Sequence, residues 1–149
     1  MNAKLCKKTQ LLSAYYFLSI ALERSKRPEI LSLANGIIEA QQKEIDEMRA
    51  WYQSWYGSAP PSGEFGMMGG MMMEGMTGDT SELAAVSSAD FDREFIEQMI
   101  PHHEMAIMMA GMLQASTERA EMKQLADNII ASQSREIEMM RSWLTAWSN

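Results

Sequence analysis

The chain has 149 residues, room for one ordinary domain and too little for two well-buried ones. Its 46% apolar and 22% charged content fits neither a disordered polymer nor a membrane protein, and a formal charge of −7 argues against nucleic acid or anionic lipid as partner. One cysteine, Cys6, and two histidines cannot supply an internal disulfide, a CxxC site or an ordinary zinc centre, whereas 16 methionines exceed what a core uses as gap-filler.

At the start, Met1–Lys8 carries three lysines and Leu11–Leu22 is a mostly apolar run of signal-peptide length. No small-residue cleavage site precedes Glu23-Arg24-Ser25-Lys26-Arg27, and Tyr15-Tyr16 interrupt the run. At about 12 residues it is too short to span a bilayer. A core helix over roughly Ala3–Arg24 is therefore the preferred reading. Pro28 marks the start of a second helix, because its missing N–H costs least in a first turn.

That second helix contains a sequence met again later. Leu33–Trp51 aligns without a gap with Leu125–Trp143, sharing Ile-Ile-x-x-Gln-x-x-Glu-Ile-x-x-Met-Arg-x-Trp, and each copy continues to another tryptophan, Trp55 or Trp147. A match this long marks a duplication. At about 100° per residue, Met122, Ile129, Ile130, Gln133, Ile137, Met140, Leu144 and Trp147 share one face, while Arg135, Glu138 and Ser142 fall elsewhere.

Between the copies, Gly57–Asp79 is rich in glycine, proline and methionine, which precludes a regular helix there. A third helix follows over Phe91–Gln114, with Ser88 or Asp90 as its cap. The expected organisation is a single domain: a first helical hairpin over 1–56, a linker over 57–88, and a second hairpin over 89–149. The fold class is all-α. Two hairpins, each with an apolar face, bury those faces in an antiparallel four-helix bundle. No stretch has the alternation of a half-buried strand.

Both histidines stand side by side in the third helix, within Met99-Ile100-Pro101-His102-His103-Glu104-Met105-Ala106-Ile107-Met108-Met109-Ala110-Gly111-Met112. The aligned part of the first half, around Gln10 and Leu11, has neither histidine nor methionine. Met99 and His103 share the face of Phe95, Ala106, Ile107 and Ala110, the expected core side; His102 shares a flank with Met105, Met109 and Met112. Pro101 predicts a kink beside them.

Thioether sulfur with imidazole selects a soft ion. Cu(I) suits such donors, and Ag(I) by the same softness, whereas Mg²⁺, Ca²⁺ and Mn²⁺ require oxygen. Thioethers carry no proton and bind equally well in acid; imidazole must be neutral, so its contribution is expected to fade below about pH 6. Against this stand plainer roles. Met48, Met122 and Met140 read as core filling, and His103 is either a ligand or a hydrogen-bonded core residue. Gln41 and Gln133 read as satisfying buried polar groups, Glu44 and Glu136 as hydrogen-bond or ion-pair partners at a face edge, and the tryptophans as end-of-helix packing. The linker methionines Met67, Met68, Met71, Met72, Met73 and Met76 resist a packing account, since a glycine-rich backbone presents no fixed apolar face.

The string Asp92-x-x-Phe95-Ile96-x-x-Met99-Ile100-Pro101-His102-His103-x-x-Ala106-x-x-Met109-Ala110, followed by Ile129-Ile130-x-x-Gln133-x-x-Glu136-Ile137-x-x-Met140-x-x-Trp143, resembles the domain-of-unknown-function 305 family, which includes CopM-like copper-binding proteins. The resemblance covers Phe91–Trp147; the first half matches only the repeated helix at Ile37–Trp51. It implies a ferritin-like four-helix bundle, usually exported, that binds Cu(I) or Ag(I) in copper tolerance, with ligand roles for Met99, His102, His103 and Met109.

The combined expectation is a non-enzymatic periplasmic or extracytoplasmic buffer or chaperone for Cu(I). Its partners would be copper ions and a donor or acceptor protein, and it would be a monomer or a metal-linked dimer. One site would gather His102 and His103 with Met99, Met105 and Met109, joined by Met108 and Met112; a looser set would be the six linker methionines. A di-metal oxidase would need Glu-x-x-His pairs, and Met99 and Ile100 occupy the positions where those glutamates should stand. The alternative is a metal-independent helical interaction bundle whose Met-rich loop grips apolar partners.

Overall fold

The computed structural model describes residues 12–60 and 80–148. Five helices and no strand occur among them: α1 (Leu12–Arg24), α2 (Pro28–Tyr56), α3 (Thr80–Ala85), α4 (Phe91–Ser116) and α5 (Ala120–Trp147). The all-helical class is as expected. Two compact units divide the chain, Met1–Asp92 and Arg93–Asn149. Among the described residues no helix is long and apolar enough to cross a membrane.

In the first unit the apolar run near the start is a packed helix, with Phe17, Leu18, Ile20 and Ala21 of α1 buried. α1 lies against α2, whose first three turns bury Ile30, Leu33, Ala34 and Ile37 at helical spacing. The part of this helix expected before Leu12 lies outside the described residues. Pro28 takes the first turn of α2, as its missing donor dictates, and Gly57 ends the helix in the left-handed region (φ 69°), its N–H bonded to Gln53 O at 2.9 Å.

The duplication reaches further than the shared string. Helices α1 and α4 end at equivalent residues, Arg24 and Ser116. The next residue closes the same bond in each, Ser25 N–H to Ala21 O and Thr117 N–H to Leu113 O, both 3.0 Å. The hydroxyls of Ser25 and Thr117 then accept the N–H of Arg27 and Arg119, both at 3.2 Å. Those arginines precede α2 and α5 with nearly identical extended backbones, φ −82°, ψ 121° and φ −83°, ψ 124°. A hydroxyl two residues ahead of the arginine that precedes the helix therefore shapes each hairpin turn, although the residues carrying it differ.

Helix α3 lies within 57–88, the span expected to hold only linker. Its six residues, Thr80–Ala85, contain neither glycine nor proline, and Leu83 is fully buried. Arg24 secures it: Nη1 donates to Leu83 O at 2.8 Å and Ala84 O at 3.0 Å, and Nη2 donates to Val86 O. These are the carbonyls a helix end leaves unpaired, and a guanidinium there also complements the helix dipole. The same guanidinium carbon sits 4.5 Å above the Phe91 ring. Ahead of α4, where Ser88 or Asp90 is the expected cap, the Asp90 carboxylate accepts the Ser87 hydroxyl at 2.7 Å and Ser87 Oγ accepts the Asp90 N–H at 3.3 Å.

Candidate metal centre

In the second unit α4 continues unbroken through Pro101, which is exposed and lies inside the helix. Its buried face carries Phe95, Ile96, Met99, His103 and Ala110. Helix α5 answers with Leu125, Ala126, Ile137 and Met140. Side-chain contacts fix the hairpin as antiparallel: Arg93 Nη2 donates to Ser148 Oγ at 2.9 Å, Arg141 Nη2 to Glu104 Oε1 at 2.7 Å, and Gln114 Nε2 to the Asp127 carboxylate.

His103, 1% exposed, is the most deeply buried polar side chain described. Its Nε2 lies 2.6 Å from Glu136 Oε2. With the carboxylate oxygen as acceptor, this ring nitrogen is the donor. The other nitrogen, Nδ1, is buried with no hydrogen-bond partner among the described residues. Of the two roles open to His103, the hydrogen-bonded one is thus present at one nitrogen, while the second nitrogen is left over. Glu136 occupies the half-buried edge expected of it.

His102 has its ring centroid 5.9 Å from that of His103, with the planes inclined by 58°. It is half-buried, and its Nδ1 also lacks a partner. Burial, and then repulsion from His103, lowers its pKa from 6.5 to about 4. The neutral form of His102 therefore persists well into acid, below the pH of about 6 expected from an ordinary imidazole, because a cation there would lose hydration. Gln133, expected to satisfy buried groups, keeps its own Oε1 buried and unpaired, as does Gln98, whose Nε2 donates to Glu94 at 2.8 Å.

The sulfurs divide by depth. Met99 shares the buried face with His103, whereas Met105, Met108, Met109 and Met112 are exposed, Met112 the most at 66%. Met139 of α5, not singled out by sequence, is exposed as well. Its signal was weak, since it lies off the repeated pattern beside the duplicated Met140. Met67, Met68, Met71, Met72, Met73 and Met76 lie outside the described residues. Among the described residues no group of three or more His, Cys, Asp or Glu side chains could hold a metal ion.

Helical hairpins with a histidine–methionine helix define the class, and the chain belongs to the family described as Domain of unknown function (DUF305), whose model matches residues 14–147. Similar solved structures are those of CopM. The Cu(II)-bound form is 43% identical, covering 91% of this chain and 88% of that one, with a TM-score of 0.74. The Cu(I)-bound form is 39% identical over 97% and 94%, with a TM-score of 0.72. The silver-soaked form is 37% identical over 100% and 98%, with a TM-score of 0.71. An uncharacterized protein of Acanthamoeba polyphaga mimivirus is 45% identical over 53 residues, 36% of this chain and 35% of that relative, so the match spans about a third of the relative's length.

Proposed function

We propose that this protein binds Cu(I), and Ag(I) in its place, as a buffer or chaperone in copper homeostasis and resistance outside the cytoplasm. The observation that carries the reading is the grouping on α4 of two imidazoles with unpartnered nitrogens and five methionine sulfurs, in a chain 43% identical to a copper-bound CopM. Soft neutral donors favour a monovalent d¹⁰ ion over the hard divalent ions that compete in the cell. Met99, His102, His103, Met105 and Met109 form the tighter set, with Met108 and Met112 beside it. The linker methionines 67, 68, 71, 72, 73 and 76 form a looser set of higher capacity. The two hairpins close as a four-helix bundle, and the protein acts as a monomer or a metal-linked dimer that exchanges copper with a donor or acceptor protein. Ligand binding, without catalysis, is its role.

Anaerobic titration with Cu(I) against a competing chelator tests this. The wild type should retain copper after dialysis, and His102→Ala with His103→Ala should lose about 100-fold or more in affinity at the tight set near pH 7. Changing the six linker methionines to leucine should lower the stoichiometry while sparing the tight set; an unchanged stoichiometry removes the linker from the proposal. Protein recovered free of copper, or binding hydrophobic peptides with no preference for Cu(I) over Zn²⁺, overturns the reading in favour of a metal-independent interaction bundle.

A further inference from the structure

The end of α2 carries four aromatic rings in a continuous series. Trp51 and Trp55 stack with centroids 6.3 Å apart and planes inclined by 21°. Trp55 meets Tyr56 edge-on at 6.5 Å, and Tyr56 lies 4.6 Å from Tyr52. Each step is within the range of ring pairs in mutual contact. Helical spacing produces the series: Trp51 with Trp55 and Tyr52 with Tyr56 are i, i+4 neighbours, on two stripes about 100° apart.

Packing accounts for little of this. α2 buries nothing beyond Ile37; Trp51, Tyr52 and Trp55 are half-buried, and Tyr56 is 61% exposed. Two stripes of rings also exceed the single face that an amphipathic helix turns to a core. The other copy supplies a comparison. Trp143 and Trp147 keep the stack at 6.4 Å, but Leu144 and Ser148 stand where α2 has Tyr52 and Tyr56. The phenols are thus particular to α2, and they extend a pair of indoles into a path that ends at solvent.

We propose that this path is a radical relay, which carries a one-electron oxidation from Trp51 and Trp55 to Tyr56, where a soluble thiol repairs it. An oxygen-centred radical takes one electron from an indole and leaves as its anion. The indole radical cation then takes an electron from the Tyr56 phenol, so the indole is restored and the phenol gives its proton to water. Exposure matters at this step, because a phenol oxidises readily only as its proton leaves, and Tyr56 has solvent to receive it. The neutral tyrosyl radical takes a hydrogen atom from a thiol, and two thiyl radicals so formed couple as a disulfide. Tyr52 offers the oxidation a second phenol beside the first. The relay goes beyond copper binding and does not depend on it, since its rings include none of the proposed metal donors.

Pulse radiolysis of the full chain with azide radical, which oxidises indoles first, follows the transfer. Indolyl absorption should decay as tyrosyl absorption rises, at a rate independent of protein concentration. Tyr52→Phe with Tyr56→Phe keeps the rings and removes the acceptors, so the tyrosyl rise should be lost and the indolyl signal should persist. Trp51→Phe with Trp55→Phe should abolish the same rise, whereas Trp143→Phe with Trp147→Phe should leave it. Tyr16→Phe, at an exposed tyrosine of α1, should leave it too. An unchanged rise in either α2 variant, or a rate that scales with protein concentration, overturns the relay. Under a steady source of carbonate radical with thiol present, peptide mass spectrometry should find Trp51 and Trp55 spared in the wild type and oxidised in Tyr52→Phe with Tyr56→Phe. Equal loss in the two overturns the repair.

Discussion

Helices α2 and α5 carry the same string of residues and use it differently. Leu33 and Ala34 are buried in α2, as Leu125 and Ala126 are in α5, so the first turns pack alike. Further along the copies part: Met140 is fully buried, whereas its equivalent Met48 is 39% exposed, and α2 buries nothing beyond Ile37. The tryptophan pairs keep one geometry, Trp51–Trp55 stacked at 6.3 Å and Trp143–Trp147 at 6.4 Å. Duplication thus preserved the hairpin turn and the terminal stack. The divergence lies in the middle turns, where α5 meets the histidine helix. An amphipathic pattern sets which face is available; the residues brought opposite decide how much of it is covered.

The largest effect that would sharpen this contrast is a paired truncation in metal-free protein. Met140→Ala should cost about 2–5 kcal/mol through an unfilled cavity, and Met48→Ala less than about 1 kcal/mol. Urea unfolding measures both, and equal losses would mean that the burial difference has no energetic counterpart. Next is acidity. With a folded pKa of about 4 against 6.5, His102 takes up fewer protons folded than unfolded. Its contribution to stability is therefore intact above about pH 6.5 and is lost as the pH falls towards 4, by roughly 3 kcal/mol. His102→Gln should flatten that part of the pH–stability curve, and a curve parallel to the wild type would refute it.

A smaller effect separates the equivalent ends of α1 and α4. Arg24→Ala should cost about 1–3 kcal/mol and expose the amides around α3 to hydrogen exchange, because three carbonyls lose a charged donor. Ser116→Ala, at the equivalent position, should stay within about 0.5 kcal/mol. The smallest concerns the far ends. Gly57→Ala should cost about 1 kcal/mol, since its left-handed backbone disfavours a side chain, while Ser148 closes α5 at φ −88° and carries no such penalty. Thermal unfolding resolves it.

Much of the framework could be read from residue order. The repeat, the start at Pro28, the core face of Met99 and His103, and the edge position of Glu136 all follow from helical spacing, which is a local property. What escaped was set by partners distant in sequence. Nothing local marks Thr80–Ala85 as a helix, because its support is Arg24, some 60 residues earlier. The lowered pKa of His102 depends on how far neighbours strip it of water, and periodicity shows only which way it points. The matching hydroxyl turns were hidden because Ser25-Lys26-Arg27 and Thr117-Glu118-Arg119 share only their last residue.

Arg24 has a consequence in time as well as in space. Six residues are too few to sustain a helix, since nucleation costs more than so short a run of bonds returns. α3 therefore depends on the terminal guanidinium of α1, and it should be the first described helix to melt when that grip slackens. Local opening of 80–86 should run ahead of global unfolding, leaving the remaining helices a brief life without their smallest companion.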